Sequence, residues 1–206
     1  MQAHAVTLLL LTSLAGQQAL PKEANLPPLH KNPIVPVANT LAKGEGDWNS
    51  VNRGRAGDTP GGIASVTGKN FSELTVGQVK SLQRRRVYAV GRYQMIPSTL
   101  AYAVRKAGVS ANARFTPETQ NRLLQALLDH KRPSIGAYIR GEHGSINRAL
   151  RGMALEWASV AWIHGRSYYG GSNRVRVTRH EAAIALKEAR RLYLKSQSET
   201  SSVQPA

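Results

Sequence analysis

Apolar positions in this chain recur mostly at helical spacing, in segments separated by breaks at glycine and proline. From Ile34 they fall at Val37, Ala38, Leu41 and Ala42, the pattern of one buried helical face. Continued at about 100° per residue, that face meets Glu45, eleven residues past Ile34, on nearly the same side. The pattern then lapses. Residues 46–69 are rich in Gly, Asn, Ser and Thr, which predicts a small hairpin or loop lobe. Thr75 reads as the N-cap of a helix over 76–86, with Val76, Val79 and Leu82 inward. Pro97 suits a first helical turn, where its missing N–H is no loss, and Gly108 closes that helix. Thr116 and Pro117 open a helix whose Leu123, Leu124, Leu127 and Leu128 form a core stripe. Ser145 caps another that carries Leu150, Leu155, Trp157 and Val160. Thr178-Arg179-His180-Glu181 has capping-box spacing and predicts a last helix reaching about Lys195.

The expected fold class is therefore α+β, mainly α, in one domain over residues 34–195. Residues 5–14 form an apolar run half the length of a membrane-spanning helix, so no transmembrane anchor is expected. That run fits a signal-peptide core with Ser13 and Ala15 at a cleavage site, but no Lys or Arg precedes it. Residues 1–20 are thus read as either a signal or an apolar arm. Five prolines between positions 21 and 36 mark residues 21–33 as a linker, and 196–206 read as a disordered tail.

Charge narrows the partner. Lys and Arg number 28 against 12 Asp and Glu, giving +16 and a pI near 10.8, so the partner is anionic. Nucleic acid and an anionic cell-wall surface satisfy this equally, and the sequence contains no recognisable nucleic-acid module. The lack of cysteine excludes disulfides, thiolate metal sites and cysteine nucleophiles. Six scattered histidines lack metal-ligand spacing, and there is no phosphate-binding glycine loop or Gly-x-Ser-x-Gly elbow, so no cofactor is implied. The oligomeric state stays open.

Four stretches carry candidate chemistry. Glu45 sits at the C-terminal end of a helix on its buried side, where desolvation and the macrodipole both disfavour the charged form. A general acid near neutral pH needs that environment, although a solvated Gly-Glu-Gly turn would have the same sequence. In residues 91–100, Arg92, Tyr93 and Gln94 set a cation, a ring and an amide side by side. The set suits the rim of a sugar-binding cleft and equally a loop-to-helix joint with a half-buried tyrosine. Asn52 and Asp58 are the cleft candidates of the small lobe, where Trp48 reads as core. Tyr168 and Tyr169, beside Gly170 and Gly171, suit a sugar subsite or lobe packing, and Glu156 among apolar neighbours reads as a buried structural ion pair.

Gly91-Arg92-Tyr93-Gln94-Met95-Ile96-Pro97-Ser98-Thr99 resembles the Gly-Leu-Met-Gln-Ile-Met-Pro-Ser-Thr signature of soluble lytic transglycosylases and goose-type lysozymes. Its Gly-Arg-Tyr-Gln form is similar to lysozyme-like domains of phage endolysins and virion-associated murein hydrolases. The resemblance spans about residues 35–195 in three islands: Lys43 to Gly46, the signature itself, and Gly165 to Gly171. It implies a lysozyme-like fold, a helical lobe and a small lobe flanking a cleft, and cleavage of the β-1,4 bond between N-acetylmuramic acid and N-acetylglucosamine. Glu45 would be the acid, with Asn52, Asp58, Arg92, Tyr93, Gln94, Tyr168 and Tyr169 binding substrate. The implied partner is peptidoglycan, and the implied location periplasmic, secreted or virion-associated. Asp47 and Asp58 are the only nearby upstream carboxylates that could assist, so hydrolysis and transglycosylation both stay open. The rival reading is a non-catalytic basic module on the same scaffold, binding cell wall or nucleic acid.

Overall fold

The first helix, α1 (Val35–Glu45), carries Pro36 in its first turn and buries Val37, Ala38 and Leu41, the face that the spacing marks. The structure, a computed structural model, describes residues 32–142, 144–171 and 173–201. After α1 the chain crosses a small lobe containing β1 (Val51–Asn52) and α2 (Gly62–Thr67). It then forms α3 (Val76–Gln83), β2 (Ala89–Val90), α4 (Pro97–Ala107), α5 (Pro117–Ala126) and α6 (Pro133–Ile139). Two further helices, α7 (Ile146–Glu156) and α8 (Arg179–Ser201), complete the helical lobe, in which α8 packs on α1, α6 and α7. One core cluster runs from Ile34 to Ala189 and includes Leu123, Leu124, Leu127 and Leu128. The described residues are mainly helical with one small antiparallel sheet, and no described helix is long and apolar enough to cross a membrane.

The local start signals hold because each is satisfied within one turn. Thr75 and Gln78 form a reciprocal capping box, Thr116 and Ser145 accept from the third residue on, and Thr178 and Glu181 cap each other. The departures have equally local causes. Residues 46–69 turn back on themselves only in one antiparallel bridge, Asn52 opposite Asp58, while β1 pairs outside the segment with β2, Val51 opposite Val90 and Asn52 opposite Ala89. The same segment holds α2, whose six residues bury only Ile63, too short a stretch to show a period. α3 stops at Gln83, and Gln83 is buried whereas Leu82 is only half-buried. α7 ends at Glu156, leaving Trp157 extended and Val160 bridged to Val177. α8 continues to Ser201, so part of the stretch expected to be disordered is helical. The expected signal or arm, and most of the linker, lie outside the described residues.

Like α2, the helix α6 has no counterpart in the sequence reading. Pro133 cannot donate and its ring excludes the carbonyl four residues back, so α5 cannot run on through it. The chain widens instead: Leu127–Lys131 forms a π turn, closed by Arg132 N–H donating to Leu127 O at 2.8 Å.

Two buried carboxamides join the lobes. Gln83 Nε2 donates to Tyr88 O and Met95 O, both at 2.8 Å. Gln120, 1% exposed, accepts from Arg92 N at 2.9 Å and donates to Trp48 O at 3.1 Å. Gly91 is required beside it: its φ is +73°, and a Cβ there would collide with the Gln120 carboxamide. Gln120→Leu should strand the Arg92 N–H and the Trp48 carbonyl, costing about 2–4 kcal/mol. Thermal unfolding should register this as a Tm lowered by roughly 5–15 °C, and a Tm within error of wild type would show that the clamp contributes nothing.

Candidate active site

α1 delivers Glu45 as its last residue, and the residue before it decides how closely the helix end is packed. A Cβ at Gly44 would collide with the Ser159 hydroxyl, so α1 abuts the 159–161 segment without a gap. Ser159 Oγ–H then donates to Glu45 Oε1 at 2.5 Å, and the Ser159 backbone N–H is hydrogen-bonded to the same carboxylate. Burial is the largest influence on that carboxyl and raises its pKa above 4.5. The two Ser159 bonds pull the other way, the Asp58 charge adds to the rise, and Arg176 opposes it; the net direction is upward.

Two cavities meet at this carboxylate. One, of about 510 Å³, runs past Lys43, Asp47, Ser50, Thr59 and Arg176. The other, of about 470 Å³, runs past Asn52, Gln94, Lys131, Arg132, Glu156 and Tyr169. Both include Gly44, Glu45 and Asp58, so the two carboxylates stand at the pinch of one longer groove. Asn52 Nδ2 donates to Asp58 Oδ1 at 2.9 Å and Asn52 Oδ1 accepts from Gly54 N, which orients Asp58 at that pinch. Asp47 is otherwise engaged: its Oδ1 accepts from Asn49 N and Ser50 Oγ, holding the turn into β1.

The residues of the 91–100 stretch divide. Gln94 lines the groove with φ +44°, a left-handed conformation rare for a residue with a side chain. Its Nε2 donates to Gly91 O at 2.9 Å and Ser50 O at 3.3 Å, tying the groove wall to the small lobe. Tyr93 also lines the groove, whereas Arg92 stays outside it. Tyr93 is 2% exposed, its hydroxyl donates to Asn121 Oδ1 and its ring edge meets Trp48, so it packs into the groove wall and offers no open face for stacking. Arg92 lies over the Trp48 ring at 4.5 Å and donates to Asn39 Oδ1, on the far side of the joint. The tyrosine pair also splits. Tyr169, 54% exposed, lines the groove and donates to Leu155 O at 2.7 Å, whereas Tyr168, 47% exposed, packs between Trp162 and Tyr169 outside it.

Glu156 is the ion pair that its apolar neighbours require. Its side chain is 4% exposed and accepts from Lys131 Nζ at 2.6 Å and Arg132 Nε at 2.9 Å. Lys131 also donates to Thr99 Oγ1, and Arg132 to Leu155 O. Two cations on one carboxylate leave the groove wall net positive beside Tyr169. Ser159, Arg176, Lys131 and Arg132 had no sequence signal; the two cations owe their placement to the π turn before Pro133.

The raised pKa of Glu45 has a signed consequence for stability. Below about pH 4.5 the carboxyl is neutral folded and unfolded; above it the folded state holds the proton longer. Wild-type stability should therefore decline as pH rises from about 4.5 through the folded-state value, by about 1.4 kcal/mol per unit of rise. Glu45→Gln keeps an acceptor for Ser159 and lacks that decline. The Tm difference should shift in favour of the variant between pH 4 and 7, and a difference independent of pH would show that burial does not disfavour the charge.

Comparison of the chain with known protein families, with curated proteins and with solved structures finds no match in any of the three.

Proposed function

We propose that this chain is a lysozyme-like, peptidoglycan-degrading glycosidase that cleaves the β-1,4 bond between N-acetylmuramic acid and N-acetylglucosamine. The observation that carries the reading is Glu45: a carboxyl with its neutral form favoured, where two cavities of about 510 and 470 Å³ meet. Protonated Glu45 gives its proton to the glycosidic oxygen as the bond to the muramic C1 breaks. The resulting carboxylate then takes a proton from the incoming hydroxyl, while the Ser159 hydroxyl holds it in place. That hydroxyl is either water, giving hydrolysis, or the muramic 6-hydroxyl, giving a 1,6-anhydro product. Asp58 is the carboxylate placed to support the first route. The +16 charge suits a wall that carries free carboxylates, met from a secreted or virion-borne position.

A second reading, a basic module that binds wall or nucleic acid without cleaving it, draws on that same charge. Murein zymography separates the two. Wild type should clear and Glu45→Gln should lose about a hundredfold or more. Equal clearing removes Glu45 as the acid, and binding without clearing by either protein favours the module. Asp58→Asn distinguishes the products: transglycosylation should survive it and yield anhydro ends, whereas hydrolysis should collapse. Clearing of intact murein should also fall steeply between 50 and 500 mM salt, since screening shortens the reach of surface charge to about 8 Å at physiological ionic strength. Tyr93→Phe should lower Tm while leaving clearance per folded molecule unchanged, and Gln94→Ala should lower clearance about tenfold. The reverse pattern would return Tyr93 to the substrate.

A further inference from the structure

A second concavity lies behind the groove wall. It has a volume of about 460 Å³ and is lined by Arg53, Arg85, Arg86, Thr59, Ser65 and Val66. We infer that it binds a phosphate group. Its three guanidinium groups come from two separate parts of the fold. Arg53 stands at the head of the 3-10 turn Gly54–Ala56 in the small lobe, and Arg85 and Arg86 follow the end of α3. Among the described residues none of the three side chains has an ion pair or a hydrogen bond. By contrast Arg132, Arg140 and Arg191 each hold a carboxylate, and Arg84 donates to Ser81 Oγ. The carboxyl nearest in the chain, Asp58, lines the groove instead and accepts from Asn52.

Converging like charges with no counter-charge repel one another, and folding does not require the arrangement. The negative end of α3 favours a cation in the turn after it, which accounts for Arg85 or Arg86 but not for Arg53. A bound anion accounts for all three. Guanidinium forks match the oxygens of an oxyanion two at a time, and three unit charges suit a phosphate better than a single carboxylate. The recess also offers an idle donor: Thr59 Oγ1 is buried without a hydrogen-bond partner. Thr59 lines both this recess and the groove, so an anion held here lies one residue behind the pinch. Free phosphate and the phosphate of a glycerol-phosphate polymer share the chemistry that the recess reads. The inference does not depend on the glycosidase reading.

The test is an NMR titration of the full-length, nitrogen-labelled protein with inorganic phosphate, at constant ionic strength made up with chloride. Saturable shifts should centre on residues 53, 59, 65, 85 and 86. Arg53→Gln, and Arg85→Gln combined with Arg86→Gln, should each weaken the apparent affinity at least tenfold with Tm unchanged. Lys106→Gln combined with Lys187→Gln removes two charges from α4 and α8 and should leave the affinity within twofold. A glycerol-phosphate oligomer that competes for the same residues and binds more tightly than phosphate identifies the polymer as the source; equal affinity identifies the free ion. Shifts that do not saturate, that spread evenly over the basic surface, or that fall as much in the Lys106/Lys187 control overturn the site.

Discussion

The absence of a side chain at Gly44 is the constraint on which the rest of the site depends. It lets the end of α1 press against Ser159, and that contact alone brings the Glu45 carboxylate to a hydroxyl 114 residues away in sequence. Ser159 is itself held, because its carbonyl accepts from Arg176 N at 2.9 Å and Val177 N at 3.0 Å. The chain then enters α8, which packs back on α1. Helix, serine segment, return strand and helix thus close a ring around one carboxyl. Enclosure disfavours its charge, and the two Ser159 bonds offset only part of that effect. A group held this way is poised to hold or release a proton.

Neutral carboxamides hold the other wall. Gln83, Gln94 and Gln120 between them bind carbonyls or amides of Ser50, Trp48, Tyr88, Gly91, Arg92 and Met95. None of these bonds carries a formal charge, so the joint between the lobes is insensitive to pH and to salt. The charge of the groove is therefore free to vary without loosening its frame. Gln94 is the strained member, in a left-handed conformation that its two side-chain bonds and the neighbouring Gly91 hold in place.

Charge is spread unevenly over this frame. Around Glu156 it is buried and held by hydrogen-bonded partners, the arrangement that makes an interior ion tolerable. The ion pair of Lys43 with Glu181 is exposed and contributes little to stability. Elsewhere the excess of 28 cations over 12 anions leaves arginines unpaired, most clearly where Arg53, Arg85 and Arg86 converge. Long-range attraction and local recognition of anions therefore reside on the surface, apart from the enclosed carboxyl at the pinch.

The helices α1, α3, α4, α5, α7 and α8 were legible in the sequence because their signals are local, whereas α2 and α6 were not. A cap and its partner lie three residues apart, as at Thr75, Thr116, Ser145 and Thr178, and a buried face repeats within two turns. The placement of Glu45 on the buried side of α1, and the need of Glu156 for a partner, follow from the same short-range logic. The pairing of residues 51–52 with 89–90, the meeting of Glu45 with Ser159, and the cations brought to Glu156 by the π turn were not legible. Nor was the difference between Tyr93, which is buried in the groove wall, and Tyr169, which stands exposed on it. Periodicity states which face of a segment must be covered, but what covers it depends on contacts between residues far apart in the chain. The sequence by itself determined that a mainly helical domain would carry a carboxyl on a buried helix face; only the tertiary structure decided which groups would surround it.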